Sequence, residues 1–139
     1  MVVVDASVWV SIFMLADVHH AASLAWHRRQ VAAGLMVLAP TLLSVEVAGV
    51  ISRLTGSPLE GYRAVRSLRR TASLEFEPLD VGRERRAVQC AADLGLRGAD
   101  AVYVGLAFDE HIPLVTWDGD QHSRASRYIT VYTPLTYPW

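Results

Sequence analysis

The chain contains no lysine: all 13 basic residues are arginine. It has a single cysteine, Cys90, so no internal disulfide can form, and the composition suits a reducing compartment such as the cytoplasm. Cys90 lies in an alanine-rich helical stretch and reads as buried filler. No apolar run approaches the roughly 20 residues that a membrane span needs, so no membrane partner is expected. The opening MVVVDASVWV lacks a basic leader, and its apolar residues read as a first strand rather than a secretory signal. Glycine/serine linkers and internal repeats are also missing, which leaves one domain over residues 1–139. With 52% hydrophobic and 19% charged residues, the 139-residue chain is expected to fold around a substantial core.

Strand and helix signals alternate along the chain. Short β-branched runs predict strands at Val2–Asp5, Met36–Pro40, Ser73–Asp80 (at an edge), Pro113–Asp118 and, more weakly, Tyr128–Thr133. Helices are expected from Ser7 to about Leu15, from His19 to Ala33, over Thr41–Thr55 and from Ser57 onward. Two more are expected over Val81–Leu94 and Ala99–Asp109. In the third, Leu43, Val47, Val50, Ile51 and Leu54 fall on one stripe, and Gly56 stops the helix. Ser57 and Asp80 read as N-caps. Val88, Ala91 and Ala92 are expected on the inner face of the helix after Asp80. Strands separated by helices favour an α/β fold with a mostly parallel sheet of four to five strands covered on both sides. The aromatic tail TPLTYPW is expected to pack on the body or in a subunit contact.

Against this pattern the acids stand out. Asp5 ends the first strand, Asp118 ends the fourth, and Asp100 begins the last buried helix. In open α/β sheets ligands bind beyond the carboxyl ends of the strands. Glu46 lies within the amphipathic helix. Its helical neighbours Leu42, Leu43, Gly49 and Val50 include no base. Each acid also has a plain structural reading: Asp5 as a helix cap, Glu46 paired to a distant arginine, Asp100 as a first-turn acid, Asp118 and Asp120 as turn residues in WDGD. Together they suggest a cluster. Two carboxylates about 4 Å apart repel by roughly 4 kcal/mol at an effective dielectric near 20, so a convergent set needs a cation. Carboxylates without nearby His or Cys suit hard divalent ions, Mg²⁺ or Mn²⁺. The five histidines show no metal spacing. Setting aside Asp5, Glu46, Asp100, Asp118 and Asp120 leaves 14 − 5 = 9 acids against 13 arginines, about +4 on the remaining surface, which permits a polyanionic partner.

The segments VVVDASVWV, PTLLSVEVAGVISR, LRGADAVYVGLA and PLVTWDGDQ, in this order, resemble the PIN-domain ribonucleases, most closely the VapC-type toxins of toxin–antitoxin pairs. The resemblance covers nearly the whole chain and implies a three-layer α/β/α fold. It implies Mg²⁺- or Mn²⁺-dependent endoribonuclease activity, with Asp5, Glu46, Asp100 and Asp118 as catalytic and metal-binding acids and Asp120 near a further acidic position. Ser7 and Thr116 match polar residues that support the acids. RNA as substrate, a small antitoxin protein and a homodimer are also implied. A housekeeping RNA-processing nuclease and a non-catalytic PIN-like binding module are the alternatives. Receiver domains and haloacid dehalogenase phosphatases also place acids at a sheet rim, but both call for a lysine. Arg97, before Asp100, is a candidate for steering phosphate or pairing with a site acid. Arg63, Arg66, Arg69 and Arg70 recur at helical spacing on one face and are candidates for contact with RNA or antitoxin.

Overall fold

Three consecutive valines without exposed surface form β1 (Val2–Val4) at the centre of the sheet. A central parallel strand is covered on both faces, so it needs no alternation of apolar and polar residues. In the computed structural model, which describes residues 1–139, β1 leads through α1 (Ala6–Phe13) and α2 (His20–Ala32) to β2 (Val37–Pro40). Next come α3 (Leu42–Thr55), α4 (Pro58–Arg69), β3 (Leu74–Glu77), α5 (Val81–Leu94) and α6 (Gly98–Glu110). The chain ends with β4 (Leu114–Val115), α7 (Gly119–Ala125) and β5 (Val131–Tyr132). The strand order is β3-β2-β1-β4-β5, and all four pairings are parallel. β3 lies at an edge, as its sequence predicts.

The α6 helix packs across β1, β2 and β4 and carries α5 on its back. The α1 helix packs on α2 and α3, and α3 on α4. These two helical groups flank the sheet in a three-layer α/β/α arrangement. Parallel neighbours need long crossovers. Here the chain first builds outward from β1 through β2 to β3, then returns to the other side of β1 for β4 and β5. The order therefore reverses between β1 and β4, which is where a crevice opens in such sheets.

Local signals set the helix ends. Ser57 accepts the Glu60 N–H, and Asp80 accepts the Arg83 N–H at 2.9 Å. Gly56 ends α3 at φ 67°. The packing of α4 on α3 depends on Gly61, because a Cβ there would lie 2.7 Å from the Ala48 carbonyl oxygen. Gly61→Ala is expected to cost about 1–3 kcal/mol in a denaturant titration, since backbone rather than a flexible side chain must yield.

Several expectations are corrected. Leu43, Val47 and Ile51 are buried, but Leu54, in the last turn of the same stripe, has run past the core and is 60% exposed. The inner face of α5 is centred on Ala87, Cys90 and Leu94, with the expected Ala91 packed against its edge; Val88, 62% exposed, and Ala92 face outward. WDGD, rich in turn formers, opens α7, a seven-residue helix that the sequence does not announce because it is too short to display an apolar stripe. The strands β4 and β5 are two residues each, shorter than their β-branched runs. Cys90 is a core residue as expected, and Trp9 and Trp26 lie beside it in the core. The tail packs on the body, with Tyr137 edge-on to Trp26 and Arg29 over Trp139.

Candidate active site

The reversal between β1 and β4 places Asp5, the residue after β1, and Asp118, three residues after β4, on the same rim. Both act as helix caps. Asp5 Oδ2 accepts the Ser7 N–H at 2.9 Å to start α1, and Asp118 Oδ1 accepts the Gln121 N–H at 2.9 Å to start α7. Capping uses part of each carboxylate and fixes its direction. Asp100 stands in the first turn of α6, and Glu46 projects from α3. All four acids line one cleft of about 620 Å³, together with Ser7, Arg53 and Arg97.

Each acid has its own partner. Thr116 and Ser7 lock the floor: the Thr116 hydroxyl donates to Asp5 Oδ2 at 3.4 Å and accepts the Asp118 N–H at 2.9 Å. The Ser7 hydroxyl accepts the Trp117 N–H at 3.0 Å. The buried Gln121 side chain donates to Asp5 Oδ1 and to the Asp100 carbonyl, both at 3.4 Å. Arg97 bridges the other two acids, with Nε 2.8 Å from Asp100 and Nη2 2.5 Å from Asp118. Glu46 finds no arginine; the buried Tyr103 hydroxyl donates to its Oε2 at 2.5 Å.

The electrostatics follow from these contacts. Burial pushes the Glu46 carboxyl above its usual range despite the Tyr103 bond, and the charges of Asp5 and Asp100 push the same way. Burial likewise raises Asp100 in spite of Arg97, with Asp5 and Asp118 adding to the rise. For Asp118, burial acts upward but is outweighed by the Gln121 N–H and by Arg97, which hold it low. The acids therefore feel one another's charge. They do not close into a cage: no three His, Cys, Asp or Glu side chains converge tightly enough to hold one metal ion. Of the five acids expected from the sequence, Asp5, Glu46, Asp100 and Asp118 line the cleft. Asp120 does not line the cleft; one turn of α7 directs it to Arg124, 2.8 Å away.

The donor chemistry still fits a hard divalent cation. All the acidic donors are oxygens, and Asp100 and Asp118 already share a positive group, the Arg97 guanidinium. The arginines of α4 lie elsewhere. Arg63 pairs with Glu60 at 2.6 Å, Arg69 covers Phe76, and neither these nor Arg66 and Arg70 line the cleft. Sequence reasoning missed Tyr103, Gln121 and Arg53. Spacing could have found each one: Tyr103 is one turn after Asp100, Gln121 is three residues after its cap, and Arg53 is two turns after Glu46. Tyr103→Phe keeps the packing but frees Glu46. Because the Tyr103 bond acts to lower the Glu46 pKa, the substitution is expected to raise that pKa further, measured by NMR titration beside wild type.

No curated protein sequence matches the chain. Solved structures do share its fold. Mycobacterium tuberculosis VapC20, described as a sarcin-ricin loop cleaving toxin, superposes at a TM-score of 0.72 and 18% identity over 88% of this chain and 94% of that one. DNA-bound VapBC from Salmonella typhimurium gives 0.73 at 14% identity, over 96% and 97%. FitAcB from Neisseria gonorrhoeae gives 0.72 at 15%, over 99% and 100%. The PIN domain family model matches residues 2–127. The acids of the β1–β4 rim are thus set in a known framework, and the chain belongs to the PIN domain family.

Proposed function

We propose that this chain is a divalent-metal-dependent endoribonuclease, acting in the cytoplasm as the toxin of a type II toxin–antitoxin pair. One observation carries the hydrolytic reading: Asp5, Glu46, Asp100 and Asp118, from four distant stretches, line a single cleft at the switch point of the sheet. Asp5, Asp100 and Asp118, with Glu46, would hold Mg²⁺ or Mn²⁺. Bound there, the ion supplies a Lewis acid that makes water a better nucleophile and offsets charge developing on the phosphate.

The chain's own residues do the rest. Ser7, Thr116 and Gln121 keep Asp5 and Asp118 aimed into the cleft. Glu46 Oε1, the oxygen left free by Tyr103, would accept a proton from the attacking water; its raised pKa moves it toward the range of a general base working near neutrality. The water oxygen bonds to phosphorus as the bond to the leaving ribose oxygen breaks. Arg97 stands at the mouth, 67% exposed, where a phosphate can reach it.

The toxin assignment is supported by the full-length likeness to VapC20 and to the VapBC and FitAcB structures. A small antitoxin protein and a homodimer belong to the same reading. A metal-independent binding module is the second reading. It is favoured by the internal partner that each acid already has and by the lack of a convergent trio. Incubating the purified protein with total RNA and mapping new ends separates the two. Discrete cuts in Mn²⁺ that vanish in EDTA and in Asp100→Asn support the nuclease. Identical patterns in all three samples reject it, and a flat Mn²⁺ titration by calorimetry favours the module.

A further inference from the structure

We infer that Arg53, laid over Gly49 on α3, is a phosphate-binding residue that holds the RNA backbone beside the scissile bond. This rests on the nuclease reading and adds a residue that neither the acidic cluster nor the family match assigns. Glu46, Gly49, Val50 and Arg53 all line the cleft. Their spacings of three, four and seven residues place them on one stripe of α3. Arg53 is thus about 10 Å along the helix from Glu46, at 1.5 Å rise per residue.

Arg53 is exposed to solvent within the cleft, and two observations point to a ligand for it. The cleft holds two arginines. Arg97 is paired with two acids, whereas Arg53 forms no ion pair. Glycine in mid-helix costs about 1 kcal/mol against alanine. The only atom that a Cβ at Gly49 would meet is Arg53 Nη1, 3.3 Å away. The guanidinium therefore folds back over Gly49, toward the acids and away from the end of α3. Such a planar fork recognises the two non-bridging oxygens of a phosphodiester through paired hydrogen bonds.

The test measures binding of a labelled single-stranded RNA oligonucleotide in the Asp100→Asn background over a range of salt, with and without Arg53→Gln. Loss of one charged contact is expected to weaken binding about tenfold at low salt. The slope of log affinity against log salt should fall by about 0.7. In the otherwise native enzyme, Arg53→Gln should raise KM and leave kcat alone. Gly49→Ala should weaken RNA binding in the same direction while raising the melting temperature, opposite signs that a purely structural glycine would not give. An unchanged salt slope and KM in Arg53→Gln, with wild type still cutting RNA, overturns this inference and spares the nuclease reading. Failure of wild type to bind or cut RNA overturns both.

Discussion

Asp5→Asn is expected to reduce RNA cleavage by about a thousandfold, the effect of removing a group that acts only on the charge of the transition state. The same substitution should leave the fold intact or slightly firmer. Asparagine caps a helix as well as aspartate does, so α1 keeps its start at Ser7. The charge of Asp5 also acts to raise the pKa of both Glu46 and Asp100, a repulsion that the neutral amide relieves. In EDTA the melting temperature of Asp5→Asn should therefore match or exceed that of wild type by a few degrees, on the order of 1 kcal/mol. A fall of several degrees with partial activity would make Asp5 a structural cap and nothing more.

A pH series in EDTA reads the same repulsion. An acid whose folded pKa lies above its unfolded value binds its proton more tightly when folded. Folding is then penalised at neutral pH, and stability rises as pH falls through the folded pKa toward the ordinary carboxylate value of about 4. Glu46 and Asp100 behave this way. Asp118 runs opposite: its lowered pKa gives stability above the ordinary value, lost only as pH falls through the folded one. His27, whose burial lowers its pKa, opposes Glu46 and Asp100 by losing stability as pH falls below the ordinary imidazole value. The contribution of Glu46 and Asp100 is therefore read as a difference: the change in melting temperature from neutrality to mild acid should be more favourable in wild type than in Asp5→Asn.

The sequence carries most of the fold because the fold depends on local patterns. Consecutive valines buried on both faces declare β1, and the Ser57 and Asp80 caps declare the starts of α4 and α5. The stripe of α3 was readable up to the point where the helix outlasts the core, which no local pattern reveals at Leu54. A seven-residue helix, α7, hides in a turn-like composition because its information lies in one cap, Asp118. The acids were legible as a group through their positions after β1 and β4 and at the start of α6. Their partners were not. Tyr103 reads as core because it is core, and only the packing of α6 against α3 delivers its hydroxyl to Glu46. Gln121 is similar, a polar side chain fully buried between elements far apart in sequence. Asp120 shows the converse: closeness to Asp118 in sequence says nothing of direction once both lie at the start of a helix.

Arg97→Gln should move two readouts in opposite directions. In the structure its guanidinium takes one oxygen each from Asp100 and Asp118, the oxygens that a divalent cation would also use. A cation must therefore displace Arg97 or share with it. Because the side chain is 67% exposed, each of its two ion pairs is screened by water and is worth only about 0.2–1 kcal/mol. Their joint loss should tighten Mn²⁺ binding about fivefold by calorimetry. Once displaced, the guanidinium lies at the cleft mouth facing an incoming phosphate, a contact whose loss should cost about tenfold in cleavage at saturating Mn²⁺. Tighter metal with slower cutting identifies a residue that alternates between acid and substrate. A looser Mn²⁺ site in the variant would instead make Arg97 a brace that holds Asp100 and Asp118 in line, and the cation would then bind alongside it. Arg97→Lys separates the two further. A lysine retains the charge but cannot span both carboxylates with a planar fork, so it should recover part of the cleavage while leaving the metal site tightened.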